Sequence, residues 1–368
     1  MYLSRFEANT FRNIDRCSVE FSRGVQLLSG RNAQGKTNAV EGIYLFARGK
    51  SFRSASDRDM VKFGEDGFRL FIEYENKDGK QSLEYIYHNG QRKRKRNGYE
   101  IKRITDMLGH FRAVLFTPDH LKLVKESPEE RRSFLNVAIS QCYPVYVSLY
   151  ADYKTALEER NCLLKMAGKG LIRDMDELYA WSASLAKYSA EIYRFRRDYI
   201  KKLSTYAAPM LHSLSDAEES LGILYKTDIF EDTDSLEELT EQYVQLYQRN
   251  IPREIAAGVT LYGPCREDMD MTVNGQSVRH FASQGQQRSV VLALKHAEGD
   301  VCKEVAGEYP VYIMDDVMSE LDGKRRSFLL KNMQERQMIV TGCDLSAEMF
   351  GNASFIHVEK GQYVSSHR

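Results

Sequence analysis

The sequence has no net charge, no long apolar run and no closely spaced cysteines, and each absence excludes a class of protein. No apolar stretch in the 368 residues approaches the roughly 18 that a membrane span requires, so no membrane partner is expected. The opening MYLSRFEANTFRNIDR alternates charged and apolar residues and lacks the apolar centre of a secretory signal. Cys17, Cys142, Cys162, Cys265, Cys302 and Cys343 form no Cys-x-x-Cys pair. That argues against a metal or disulfide framework and for free thiols in the cytoplasm. With 42% apolar and 28% charged residues the composition is that of an ordinary globular chain, long enough for two modest domains.

The charges balance at 52 basic and 52 acidic but are unevenly distributed. Residues 1–125 hold 24 Lys+Arg against 15 Asp+Glu, a local +9, whereas residues 216–241 hold ten acids and one lysine, a local −9. A basic face for a polyanion is therefore compatible with neutrality overall; two solvated surfaces of opposite sign are the plainer alternative.

Hydrophobic periodicity predicts short strands at YLSRFEA, DRCSVEF and VQLLS, then a helix over about Lys36 to Ala47. Strands resume at FRLFIEYEN and LEYIY, with hairpin turns at Asn89-Gly90 and Asn97-Gly98. Between these turns run Arg92, Lys93, Arg94, Lys95 and Arg96. They read either as an edge strand kept soluble by charge or as a strip that contacts nucleic-acid phosphates. From Glu129 the pattern is helical. Leu178, Trp181, Leu185, Tyr188, Ile192, Phe195 and Tyr199 make an apolar seam at alternating spacings of three and four. A preceding helix, roughly 145–166, is expected to pack antiparallel to it as a stubby arm of roughly 30–60 Å. Strand signals return near Val259–Leu261 and Met271–Val273, with a turn at Asn274-Gly275, and PVYIMDD and QMIVT read as buried strands flanked by helices. The fold class is α/β, with a helical stretch inserted between two halves of one core.

Residues 30–37, GRNAQGKT, satisfy G-x-x-x-x-G-K-[ST] between a strand and a helix, which is the context a P-loop needs. Glycines let the backbone wrap a triphosphate, so that N–H groups at a helix N-terminus face the negative charge. Lys36 is placed to reach the β- and γ-phosphates and Thr37 to ligate Mg²⁺. VYIMDD supplies the acidic partner: Asp315 as the metal-associated carboxylate and Asp316 as the group that orients or activates water. About 280 residues separate the two halves of this ATP site, so most of the chain interrupts one nucleotide fold.

ASQGQQR (282–288) opens a helix before the acidic strand and matches the Ser-x-Gly-Gln signature of ABC-type ATPases, through Ser283, Gly285 and Gln286. SELD (319–322) resembles their D-loop. In that class the signature serves the nucleotide of an opposing subunit. The whole set, with FRN (11–13), GRNAQGKTN (30–38), KSFRS (50–54), LFTPDHLKLVKESPEERRSFLN (115–136), LYGPCRED (261–268) and IMDDVMSELD (313–322), resembles the RecF family of bacterial gap repair, related to the SMC heads.

The resemblance implies an ABC-type P-loop head whose N-terminal part is 1–118, a helical second lobe with a short arm at 119–258, and a C-terminal part of the head at 259–368. It implies ATP and Mg²⁺ as cofactors, an ATP-dependent homodimer on double-stranded and gapped DNA, and slow hydrolysis. Work with RecR and RecO toward RecA loading follows from the same likeness, as does a place near the nucleoid. Residue by residue it puts Gly30, Arg31, Asn32, Ala33, Gln34, Gly35, Lys36, Thr37 and Asn38 at the phosphates, with Arg12 and Asn13 near the nucleotide. Ser283, Gly285, Gln286 and Asp322 would act across the dimer. Arg53 is a candidate for DNA contact or for linking DNA to the nucleotide; a surface ion pair is its alternative.

Departures from the wider ABC pattern are visible. Asp316 stands where Glu is common, no Gln occurs around Phe116–Asp119, TGCD (341–344) has no histidine, and Cys265 interrupts Gly-Pro-x-Arg. Two other functions stay open on the motifs alone. One is the ATPase subunit of a membrane transporter, disfavoured by the long interruption. The other is a scaffold that binds ATP without hydrolysing it.

Overall fold

A computed structural model describes the chain except for residues 54, 173, 230, 334, 344–349, 351–352 and 367–368. Strands β1 (Tyr2–Phe11), β2 (Ile14–Glu20) and β3 (Val25–Ser29) lead into helix α1 (Lys36–Arg48). Strands β4 (Gly67–Asn76), β5 (Gly79–His88), β6 (Gln91–Arg96), β7 (Tyr99–Ile101) and β8 (Ala113–Phe116) follow. Next come helices α2 (Lys122–Lys125), α3 (Pro128–Cys142), α4 (Val145–Gly168) and α5 (Asp176–Leu214), strand β9 (Leu221–Lys226) and helix α6 (Leu236–Ala257). The chain continues through β10 (Asp268–Val273), β11 (Gln276–Ser277), α7 (Val278–Phe281), α8 (Gln284–Ala306) and β12 (Val311–Asp315). It then forms α9 (Gly323–Asn332), β13 (Met338–Gly342), β14 (Ser354–Glu359) and β15 (Gln362–Ser366).

These elements make two compact units. The first is Met1–Leu121, Pro209–Glu219 and Ser283–Arg368; the second is Lys122–Ala208 and Ser220–Ala282.

The first unit holds two six-stranded sheets. One is antiparallel, in the order β2-β1-β4-β5-β6-β7. Its strands alternate, as β4 does with Phe68, Leu70, Ile72 and Tyr74 buried. The other runs β15-β14-β3-β13-β12-β8 and is parallel from β14 to β8. β8, β12 and β13 are buried at every position, which is why AVLF, VYIMD and MIVTG read as unbroken apolar runs. Helix α1 packs into the core between Phe6 and Leu70 of the first sheet and Ile313 and Ile339 of the second. A Cβ at Gly42 would come 2.8 Å from the Phe6 ring, so glycine lets the helix approach that closely.

The three expected hairpin turns are present, with positive φ at Asn89-Gly90, Asn97-Gly98 and Asn274-Gly275. Such a pair of left-handed residues matches the twist of the flanking strands. The basic run lies on β6, one strand in from the short edge strand β7.

The second unit corrects two expectations. No strand forms at 259–261, and residues 259–282 belong with the helices rather than with the head. The reason is β9, which pairs antiparallel with β10 from Asp268↔Lys226 to Val273↔Leu221. Its alternation is concealed inside the acidic stretch 216–241. Residues 209–219, in turn, fall in the first unit rather than in the helical lobe.

Along α5 the seam residues Leu178, Leu185, Ile192 and Tyr199 are buried, while Trp181, Tyr188 and Phe195 are half-buried. Ser182, Ser189 and Arg196 are buried beside them, so the inward face is partly polar. Arg160 of α4 explains why: its guanidinium donates to Ser182 Oγ at 2.8 Å, Thr260 Oγ1 at 2.8 Å and Glu254 Oε2 at 2.6 Å. A buried ion pair with all three guanidinium nitrogens engaged thus joins α4, α5 and α6, where a purely apolar pair was expected. The family-specific segments serve the same unit. Arg131 of SPEERR makes a bidentate pair with Asp268 of LYGPCRED at 2.7 and 2.8 Å. Cys265 is half-buried, its thiol 3.5 Å from the Tyr262 carbonyl, and burial raises its pKa.

Candidate nucleotide site

β3 delivers the chain to a glycine turn that opens α1, with Gly35 as N-cap at φ 116°. At Gly30 any side chain would run into the Val358 carbonyl oxygen of β14. Gly30→Ala is therefore expected to cost about 1–3 kcal/mol of overpacking strain. A lower Tm without nucleotide, measured by calorimetry, checks this; an unchanged Tm refutes it. The outer side of the loop is braced by the β14–β15 hairpin. The Tyr363 hydroxyl donates to the Gly35 carbonyl at 2.9 Å. The Lys360 amide donates to Gln34 Oε1 at 2.7 Å and the Gly361 amide to the Gln34 carbonyl at 2.9 Å.

Lys36 is buried and folds back into the loop, donating to the Gly30 carbonyl at 2.5 Å and the Arg31 carbonyl at 2.9 Å. Cys343 Sγ stands 3.7 Å from the same ammonium, and its thiol donates to Asn32 Oδ1 at 2.8 Å. Nothing in the local pattern TGCD reveals Cys343 as a neighbour of Lys36. Asp344 of TGCD lies outside the described residues.

Thr37 Oγ1 donates to Asp315 Oδ1 at 3.0 Å, which joins the P-loop to the acidic strand. Asp315 also accepts from Thr341 Oγ1 at 2.7 Å, and burial raises its carboxyl above the usual range. That is the state of a carboxylate walled in beside its neighbours until a cation compensates it. Asp316 ends the strand in a left-handed conformation, φ 55°, its amide donating to Thr341 Oγ1 at 3.1 Å. Aspartate tolerates that conformation better than most residues.

Arg12 lies to one side with φ 55°, its guanidinium forked onto the fully buried carboxylate of Glu41 at 2.6 and 3.0 Å. Ser51 Oγ donates to the same carboxylate at 2.5 Å, and Arg53 Nη1 reaches it at 3.5 Å. Arg53 also donates to Asn38 Oδ1 at 3.0 Å; Asn38 donates to Asn13, and Asn13 to the Ala33 carbonyl. Arg12, Asn13, Arg53 and Asn38 are thus brought together around the P-loop. Glu41, the acid that joins them, was missed because it sits as a lone acid in a mostly apolar helix.

The P-loop, Arg53, Asp315 and Asp316 line a cleft of about 630 Å³, with Thr117 and Asp119 where a glutamine is absent. Its size, its amide-rich glycine loop and its buried carboxylate fit a magnesium nucleotide. Among the described residues, none of the signature or D-loop positions lines this cleft.

Ser283 instead caps α8. Its Oγ accepts from the Gln286 amide at 3.2 Å, and Gln286 Oε1 accepts from the Ser283 amide at 2.8 Å. This reciprocal capping box leaves the Ser283 hydroxyl proton and the Gln286 amide protons free to donate outward. Asp322 caps α9, accepting from the Arg325 amide at 2.9 Å. On β6, Arg92 pairs with Asp57, Lys95 with Glu84 at 2.9 Å, and Arg96 contacts His110 at 3.0 Å. Arg94 stacks over Tyr85, and Lys93 is exposed.

A parallel sheet that ends in a P-loop and leaves for a helical excursion before its acidic strand returns is the architecture of an ABC-type head. The fold alone is shared with an SMC head bound to the C-winged helix domain of ScpA, at 16% identity and TM-score 0.56. The chain belongs to the RecF family. The RecF/RecN/SMC N terminal domain family matches residues 2–362. The DNA replication and repair protein RecF of Acetivibrio thermocellus is 34% identical over 369 residues, covering 98% of this chain and 99% of that one. The RecF of Lactobacillus johnsonii is 36% identical over 372 residues, covering 98% of each. A solved structure of the recombination mediator protein RecF-ATPrS in the RecFOR pathway superposes at TM-score 0.93 with 32% identity. It covers 100% of this chain and 98% of that chain; the RecF-ATP structure superposes at 0.91.

Proposed function

We propose that this chain is an ATP-driven, DNA-binding switch of recombinational repair that works as a homodimer. The observation that carries this reading is the separation of the two half-sites. The cleft gathers the P-loop with Asp315 and Asp316, while Ser283, Gly285 and Gln286 at the N-terminus of α8 do not line it. A second copy supplying that terminus would complete each site. Solved relatives named RecF-ATP and RecF-ATPrS support ATP as the ligand.

In this reading the loop amides take the phosphates and Lys36 exchanges the Gly30 and Arg31 carbonyls for phosphate oxygens. Thr37 and Asp315 hold Mg²⁺, which when bound neutralises charge on the phosphate oxygens. Asp316 accepts the proton of the attacking water. Ser283 and Gln286 of the second copy donate to the γ-phosphate. Hydrolysis removes the group that both copies grip, and the dimer opens.

Duplex and gapped DNA are the polyanions that the basic N-terminal region suits, with contacts by Arg53 and the 92–96 run that fall off steeply with salt. Because most of that run is already paired within the chain, Lys93 is its freest contact. Cooperation with RecR and RecO toward RecA loading, in the cytoplasm near the nucleoid, belongs to the same reading; solved relatives named for the RecFOR pathway support the RecR and RecO part of it. Among the described residues no helix is long and apolar enough to cross a membrane.

The test is solution mass by light scattering with ATP·Mg²⁺, ADP·Mg²⁺ or no nucleotide, each with and without a short duplex. Mass that doubles with ATP alone, more readily with DNA, is the expected result. A monomer throughout, with ATP bound, sinks the mechanism.

A further inference from the structure

One guanidinium ties together the two segments that stand outside the cleft. Arg325, in the first turn of α9, donates through Nη2 to the Gly285 carbonyl at 2.9 Å and through Nε to Ser289 Oγ at 2.9 Å. Its Nη1 pairs with the Asp322 carboxylate. Arg326 beside it donates to the Leu321 carbonyl at 2.9 Å. A Cβ at position 285 would come 3.2 Å from Arg325 Nη2, so the signature glycine leaves room for this side chain. On the opposite side Val317 and Leu321 share a small hollow with Phe116, Pro118 and Val291.

The consequence for Ser283 follows from peptide planarity. Holding the Gly285 carbonyl fixes the plane that also carries the Gln286 N–H. That N–H is the donor Ser283 Oγ accepts, so the direction of the serine hydroxyl depends on the guanidinium. All three edges of Arg325 are engaged within its own chain, so it braces rather than reaches out. The planar fork holds its donors in fixed directions toward a carbonyl, a hydroxyl and a carboxylate, a geometry that the point charge of an ammonium does not reproduce.

We propose that Arg325 is a positioning residue that sets the signature terminus and the D-loop as one surface for the nucleotide held by a second copy. The proposal rests on the dimer reading above. It separates two properties of the full-length protein: nucleotide uptake by the monomer is independent of Arg325, and ATP-driven dimerisation and turnover depend on it.

The experiment compares Arg325→Ala, Arg325→Lys and Ser283→Ala with the unmodified chain. It measures affinity for a fluorescent ATP analogue, dimer mass with ATP·Mg²⁺ and single-turnover hydrolysis, with thermal unfolding recorded for each. Expected for Arg325→Ala are nucleotide affinity within twofold, and dimer fraction and hydrolysis at least tenfold lower. Arg325→Lys should recover less than half of the loss. Should Arg325→Ala unfold, Arg325→Met, which keeps the aliphatic stem and removes every donor, carries the same comparison. Hydrolysis and dimerisation within twofold of the unmodified chain in a folded Arg325 variant, with Ser283→Ala defective, overturn this proposal and leave the dimer reading standing. Normal behaviour of Ser283→Ala overturns both.

Discussion

Asp316→Asn should leave a protein that binds ATP and dimerises but releases phosphate roughly 10²–10⁴-fold more slowly, the range lost with a general base. The amide is nearly isosteric with the carboxylate, and the Asp316 backbone is held independently by Thr341 Oγ1 and by Ser319 Oγ, which donates to its carbonyl at 3.0 Å. The left-handed conformation is as accessible to asparagine as to aspartate. Geometry therefore persists while the proton acceptor is lost. Quenched-flow measurement of a single turnover checks the rate, and light scattering should show the dimer accumulating with ATP. Phosphate release unchanged at background level would instead favour a scaffold that uses ATP only to assemble. Asp315→Asn should behave differently, because Asp315 Oδ1 accepts from both Thr37 and Thr341 and the carboxylate would hold the metal in the proposed mechanism.

Lys36→Ala removes the side chain to which the proposed mechanism gives the phosphate contact. Hydrogen bonds to charged groups contribute about 1.5–3 kcal/mol each, so losing those to two phosphates should weaken ATP binding on the order of 100-fold or more. The free protein should tolerate the change better, since there the ammonium meets groups of its own chain, the Gly30 and Arg31 carbonyls and Cys343 Sγ. Titration calorimetry reads the affinity. The rise in Tm that saturating ATP gives the unmodified chain should vanish. ATP binding within threefold of normal would mean that the loop amides alone hold the nucleotide, and the role given to Lys36 would fail.

The P-loop was legible because its residues are contiguous and their strand–turn–helix context is local. The acidic strand was legible only by pairing it with the P-loop, since VYIMDD alone resembles any buried strand with a polar end. Glu41 was not legible. A single acid inside KTNAVEGIYLFAR looks misplaced until Arg12, Ser51 and Arg53 converge on it from two other segments. Arg325 was hidden for the same reason, because its partners at 285 and 289 lie far back along the chain. The basic run at 92–96 forms a strand but not the edge strand expected, since β7 covers it, and its composition could not reveal that Asp57, Glu84 and His110 face it. In the second unit an acidic composition masked β9, and with it the strand pairing that draws 259–282 away from the head.

β3 lies between β13 and β14, which appear some 310 and 325 residues after it begins. A ribosome adding about 5–20 residues per second finishes the P-loop segment tens of seconds before the strands on either side of it exist. During that interval β3 has neither neighbour, and the Thr37 hydroxyl has no Asp315 to meet. A polypeptide released early would thus carry an intact GRNAQGKT and no working site. Stalled synthesis should leave no fragment able to occupy ATP or to pair unproductively with a finished copy.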